Sequence, residues 1–191
     1  MSTTAHRQLR ADARRNHEKV LAAAAAAFAE SGLEAQVEDI ARRAGVGVGT
    51  VYRHFPTKEA LVQALAEQHF GRLAGITEAA LEEQGDPWEI FSATIWSAAT
   101  AAAGDVAWCE ILGGRPSAVR AAARGQQRLA AAMTTLIDRA QRAGAMRDDA
   151  TVDDVRTIMC GFGHLAAAQR AGGTMDWERY LEIALDGLRA R

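Results

Sequence analysis

Three observations predict an all-α fold. Alanine dominates the 191 residues, and no β-branched alternating run appears. Prolines number only 3, and the glycines fall mostly where a helical pattern stops. Between those stops, apolar residues recur at three- and four-residue spacing, the period that puts them on one face of a helix. About nine helices follow, grouped as an N-terminal three-helix unit containing a helix-turn-helix (1–58) and a C-terminal helical bundle (59–191).

The stretch 37–58, VEDIARRAGVGVGTVYRHFPTK, organises the first unit. Val37, Ile40, Ala41 and Ala44 share one face of a short helix while Glu38, Asp39, Arg42 and Arg43 face water. Gly45 ends it by taking a left-handed backbone turn that a side chain would oppose, and Val46 folds back over the helix just completed. Ala41, four residues ahead of the glycine, is small enough for a second helix to cross closely. Val51 and Phe55 form the inward stripe of that second helix, which Pro56 closes. Val48, Gly49, Thr50, Arg53 and His54 are left facing outward, with Tyr52 on the flank. A hairpin of helices inside some other bundle would share this pattern, so on its own it leaves DNA binding and plain packing both open.

Ahead of this motif, residues 1–11 are expected as a flexible arm carrying His6, Arg7 and Arg10, either solvated or lying on phosphates or in a minor groove. Asp12 is the expected cap of a helix over 12–31 whose inward stripe is Ala13, His17, Val20, Ala24 and Phe28, closed by Gly32. Thr57 caps a long helix running to about residue 83 through Leu61, Leu65, Phe70, Leu73 and Ile76. Lys58 in its first turn opposes the helix dipole, an arrangement that makes sense beside an anion, where free amides and an ammonium form a phosphate site.

Asp86 and Pro87 open the next helix, which carries Trp88, Phe91, Ile95 and Trp96 towards residue 103. A shorter helix over 105–112 holds Trp108 and Cys109, and residues 113–117 form a loop. A helix over 117–143 buries Val119, Leu129, Met133, Leu136 and Ile137 and ends at Gly144. Thr151, Asp153 and Asp154 start another, through Val155, Ile158, Met159, Phe162 and Leu165 to Gly172. Thr174 is the expected cap of the last, with Trp177, Tyr180, Leu181, Ala184, Leu185 and Leu188. Phe162, Leu165, Trp177, Leu181, Leu185 and Leu188, beside the small Ala166, Ala167 and Ala168, make a stripe that serves either a dimer contact or the chain's own core.

The formal charge of −2 divides unevenly. Residues 1–58 hold nine Lys or Arg against six acids, and the remainder thirteen against eighteen, so the positive charge sits with the helix-turn-helix. The two cysteines are isolated, which suggests neither a zinc site nor a disulfide framework, and no cofactor or metal is expected. The longest apolar run, residues 20–29, is far short of a membrane span, and the polar start lacks a signal-peptide core. A cytoplasmic protein with no membrane partner is the expectation. An enzyme on a helical bundle is the competing class, but no histidine follows a glutamate by three residues, and HExxH, GxSxG and phosphate-loop patterns are missing. No catalytic residue is nominated. A DNA-silent adaptor that keeps the fold is the third reading.

AxxxFAESG at the end of the first core helix, VEDIARRAGV and TVYRHFPTKEAL together resemble the TetR family of transcriptional regulators, over residues 16–65. Beyond residue 65 the length and helical layout match. The resemblance implies a homodimer, each subunit offering its head to half of a palindromic operator on double-stranded DNA, with a small-molecule effector in the second domain that lowers DNA affinity. Most members are repressors. Residues 48–54 match the recognition helix: Thr50, Tyr52 and His54 match positions that contact backbone or base methyls, and Lys58 matches a phosphate grip. For Tyr52 a packed aromatic stays open as the other role. Two departures stand out. Gln36 replaces the usual Ser or Thr cap, so that cap is weak or replaced by an amide contact. Gly47 and Gly49 remove side chains, so base reading falls chiefly to Arg53, with methyl contacts from Val48 and Thr50. The effector pocket implied by the resemblance takes Trp96, Trp108, Cys109, Met133, Met159, Phe162 and His164 as candidates, with His164 as polar handle, and suits an apolar or aromatic ligand. Ordinary core packing is the alternative role of each.

Overall fold

The computed structural model describes residues 2–105 and 122–190, of residues 2–7 and 9–11 the backbone alone. The described residues form eight α-helices: α1 (Ser2–Ser31), α2 (Val37–Ala44), α3 (Val48–His54), α4 (Lys58–Leu81), α5 (Pro87–Ala103), α6 (Ala123–Arg142), α7 (Val152–Arg170) and α8 (Trp177–Asp186). A 3-10 turn, Gly32–Glu34, follows α1. No strand occurs among them beyond one isolated antiparallel bridge, Met146 to Arg189, which ties the C-terminal residues back.

Local chemistry accounts for most boundaries. At the ends of α2, α6 and α7 a glycine takes positive φ (Gly45 +67°, Gly144 +67°, Gly172 +89°). The amide after each glycine donates to the carbonyl five residues back: Val46 to Ala41 at 3.0 Å, Ala145 to Ala140 at 2.9 Å, Gly173 to Ala168 at 2.9 Å. That pairing satisfies carbonyls a helix end otherwise leaves open. At the starts, Asp86 Oδ1 accepts from the amides of Trp88 and Glu89 at 2.9 and 3.0 Å, with Pro87 in the first helical position. Thr151 and Asp154 form a reciprocal capping box.

Three boundaries differ from the sequence expectation. α1 begins at Ser2, so residues 2–11 are helix and not an arm; Ala, Arg, Gln and Leu there are good helix formers, and Asp12 pairs with Arg15 within the helix instead of capping it. The last helix is capped by Asp176, whose carboxylate accepts from Glu178 and Arg179 at 2.9 and 3.1 Å, and not by Thr174. α6 opens at Ala123 with Ala122 outside the helix. The expected start at Ser117 lies outside the described residues, as do the expected helix over 105–112, beyond its first residue, and the loop at 113–117.

The chain divides into two units at a point inside α4, between Glu67 and Gln68. In the first, α1 packs on α2 and α2 on α3. Val20, Ala24, Ala27, Phe28, Ile40 and Val51 are 0% exposed, joined by buried Ala41, Phe55, Leu61 and Val62. Across the edge of this core, Arg43 donates to both Glu30 carboxylate oxygens at 2.8 and 2.7 Å and to Asp39 at 2.8 Å, fastening α2 to α1. The hydrogen bonds from Arg43 hold the Glu30 carboxyl below its usual range.

In the second unit, Phe91 and Ile95 of α5, Met133, Leu136 and Ile137 of α6, Phe162 of α7, and Leu181 and Leu185 of α8 share one core. Leu188 joins them. The stripe Phe162, Leu181, Leu185 and Leu188 is therefore intrachain core and not a dimer face: each is at most 6% exposed within the single chain. Arg139 donates to the carbonyls of Leu81 and Glu83 at 3.0 and 3.1 Å, closing the C-terminal end of α4.

Candidate nucleic-acid interface

α2 and α3 are joined by three residues, and the turn among them is set by Gly45, left-handed at φ +67° and ψ +33°. Its amide bonds to Arg42 at 3.2 Å while the next amide bonds to Ala41, so the chain reverses within one helical turn. Ala41 is 2% exposed and Val51 0%, which puts the small residue and the aliphatic one inside, as the spacing predicts. Phe55 is buried behind Val51, and its amide closes α3 on the Val51 carbonyl at 2.8 Å.

The opposite side of α3 is open. Gly49 and Arg53 are exposed, Tyr52 is 45% exposed, and Val48, Thr50 and His54 are half-buried. A Cβ placed on Gly47 or Gly49 would meet nothing within 4 Å, so this chain's own packing does not require glycine at either position. What the glycines do is leave the backbone of α3 uncovered on that side. Arg14, Arg15, Arg42 and Arg43 are ion-paired within the chain, whereas Arg53 has no ion pair among the described residues.

His54 is placed by α1 as much as by α3. Its ring meets His17 edge-on with centroids 5.7 Å apart, and the His17 ring lies 4.7 Å from that of Phe55. Lys58 is half-buried: its Nζ donates to the Leu33 carbonyl and stands 6.0 Å from the centre of the Phe28 ring. In the free chain the ammonium thus closes the turn after α1 instead of standing free in solvent. Thr57 Oγ1 accepts from Ala60 at 3.1 Å, as a cap should. Gln36 makes no capping bond: its side-chain amide donates to the Glu34 carbonyl at 2.8 Å and gives the first amides of α2 no acceptor, so of the two expected outcomes the cap is weak.

Four of the pocket candidates in the second unit share its core or pack against it, and His164 does not. Phe162 and Met133 are buried, and Trp96 and Met159 are half-buried. Trp177 gathers two of them, lying 5.0 Å from Phe162 edge-to-face and 6.1 Å from Trp96. His164 is exposed. It follows Phe162 by two residues, about 200° around the helix, and so points away from the core that Phe162 enters. Trp108 and Cys109 lie outside the described residues.

Sequence reasoning passed over His69, which is 4% exposed on α4. Its Nδ1 stands 3.1 Å from Asp105 Oδ2, and Arg72 donates to the same oxygen at 2.6 Å. Burial pushes the imidazole pKa down, with Asp105 opposing that shift. Its position between Leu65 and Leu73, four residues from each, is the signal that could have found it. No group of three or more His, Cys, Asp or Glu among the described residues could hold a metal. No helix among them is long and apolar enough to cross a membrane.

This geometry, a tight helix-turn-helix with one open cationic face followed by a separate helical unit, defines a DNA-binding regulator class. The comparisons narrow it. The family model "Bacterial regulatory proteins, tetR family" matches residues 20–65, and "Transcriptional regulator SbtR-like, C-terminal domain" matches residues 86–190. The crystal structure of the TetR transcriptional regulator SCO0520 from Streptomyces coelicolor is 35% identical, covering 91% of this chain and 98% of that one with a TM-score of 0.64. A TetR transcription regulatory protein from Mycobacterium vanbaalenii is 34% identical over 95% and 99%, with a TM-score of 0.67. The repressor KstR of Mycolicibacterium smegmatis is 35% identical over 77 residues, 40% of this chain and 38% of that protein. The chain matches about two fifths of the length of its curated relatives. The chain belongs to the TetR family of transcriptional regulators.

Proposed function

We propose that this regulator is a non-enzymatic, cytoplasmic repressor that binds a palindromic operator as a homodimer and is released by a small apolar or aromatic effector. The observation that carries the reading is the open face of α3, where Arg53 is exposed and free of any ion pair among the described residues while the other side of the same helix is locked into the core. Arg53 reads a base edge, Val48 and Thr50 supply methyl contacts, and Tyr52, His54 and Lys58 hold phosphates. Lys58 exchanges the Leu33 carbonyl for a phosphate when DNA arrives. The repressor KstR among the relatives supports the sign of regulation.

Two-fold operators call for two-fold proteins, and a single head grips DNA poorly. The residues left for a second copy are on the outer sides of α7 and α8, where Cys160 and His164 are exposed and Ile183 is 57% exposed. Trp96, Met133, Met159 and Phe162, which share the core of the second unit and its margin, line the effector site. Release follows if the effector binds more tightly to a form whose two heads no longer match the half-site spacing. The helix α4 is continuous from Lys58 to Leu81 and supplies the mechanical link.

Selection of bound fragments from random duplex DNA tests this. A palindromic consensus is expected, with Arg53→Ala costing about 1–3 kcal/mol and relaxing one position per half-site. Lys58→Ala weakens all sequences alike and lowers the salt slope by about one. Enrichment of no sequence overturns the reading in favour of a DNA-silent adaptor.

A further inference from the structure

Two histidines of the first unit meet where α1 passes the end of α3. The rings of His17 and His54 stand 5.7 Å apart and close to perpendicular, at 74°. His17 also lies over Phe55, 4.7 Å away and tilted by 30°. Phe55 is 3% exposed, so the core holds the plane of His17, and His17 in turn holds one flank of His54. Both imidazoles are half-buried, which leaves each of them in reach of solvent protons. Neither makes a hydrogen bond or an ion pair among the described residues.

The charged side chains around the pair are engaged or turned to solvent. On α1, Arg14 is exposed and pairs with Glu18 at 3.8 Å. On α3, Arg53 is exposed. At the start of α4, Lys58 donates to the Leu33 carbonyl and stands 6.0 Å from the centre of the Phe28 ring. The titratable group facing each imidazole is therefore the other imidazole. Histidine is the side chain that changes charge nearest neutral pH. Two positive rings 5.7 Å apart repel enough to disfavour the second proton by about 3- to 100-fold, for effective dielectric constants of about 80 down to 20. Either ring can hold a first proton; a second is resisted.

We propose that His17 and His54 share a single proton in the free chain and that DNA binding draws it onto His54, with His17 as the residue that positions His54 and limits the pair to one charge. This rests on the proposed phosphate contact of His54. A phosphate favours the charged form of the ring it touches, and the charged His54 then disfavours a proton on His17. The proton gained by His54 comes from solvent, and any proton held by His17 returns there. Near neutral pH the complex thus holds more protons than the free chain, so affinity rises as pH falls. The rise levels off once the free pair already holds its one proton.

The test follows the imidazole C–H resonances of the intact chain by NMR at about pH 6, assigned through bonds to the backbone, without and with a duplex selected from random DNA. Adding the duplex is expected to move His54 towards its charged form and His17 towards its neutral form. Movement of both towards the charged form, or none at His17, overturns the shared proton and leaves DNA binding standing. Affinity of the intact chain is expected to rise about 3- to 10-fold from pH 8 to pH 6, and that of His54→Gln by less than about 2-fold, with circular dichroism to verify equal helix content. An equal rise in the two proteins overturns the assignment of the proton to His54. Failure of the intact chain to bind any duplex at low salt overturns the DNA-binding reading along with this one.

Discussion

Tyr180 lies across Gly161 so closely that a Cβ on the glycine would stand 2.4 Å from the phenol oxygen and 3.0 Å from the ring carbon bearing it. The same hydroxyl donates to the Ile158 carbonyl at 3.2 Å, which pins α8 against α7 at this point. Gly161→Ala gains helix propensity of about 1 kcal/mol but forces an overpacking cost of about 1–3 kcal/mol, so a net loss is expected. On a Tyr180→Phe background the loss should shrink, because the atom in conflict has gone. Denaturant unfolding of the four proteins measures the coupling; additive effects would mean α8 shifts freely.

Gly45 presents the opposite case. Nothing lies within 4 Å of a Cβ built there, so Gly45→Ala tests backbone strain alone at φ +67°. A loss of about 1–2 kcal/mol is expected from left-handed geometry. Thermal unfolding reports it, and an unchanged midpoint would show that the turn relaxes.

His69 gives the protein a pH dependence. Burial lowers its pKa from 6.5 in the folded state, so between the folded and unfolded values the unfolded chain binds more protons. Its contribution to stability is complete above about pH 6.5 and falls as acidity rises towards the folded pKa. The expected result is a decline in denaturation midpoint from pH 7 towards pH 5 that flattens in His69→Gln. Equal slopes in the two proteins would assign the decline to other groups.

The start of α8 separates two threonine-or-aspartate choices two residues apart. Asp176→Ala should cost about 1 kcal/mol, the worth of an N-cap, because two amides lose their acceptor. Thr174→Ala should stay within about 0.5 kcal/mol, as for an ordinary surface change. Urea unfolding of both variants decides between the caps.

Sequence by itself determined what depends on a few neighbouring residues. The glycine-ended helices, the Asp86 and Thr151 caps and the inward Ala41 and Val51 of the helix-turn-helix were legible, because turn chemistry and helical period act within one or two turns of chain. Tertiary structure alone decided the rest. Phe162, Leu181 and Leu185 look the same in sequence whether they face a partner or their own core, since period shows that a face is apolar and not what covers it. His69 and Asp105 meet across 36 residues, and Lys58 finds the Leu33 carbonyl across 25, because packing brings together groups that no local pattern relates.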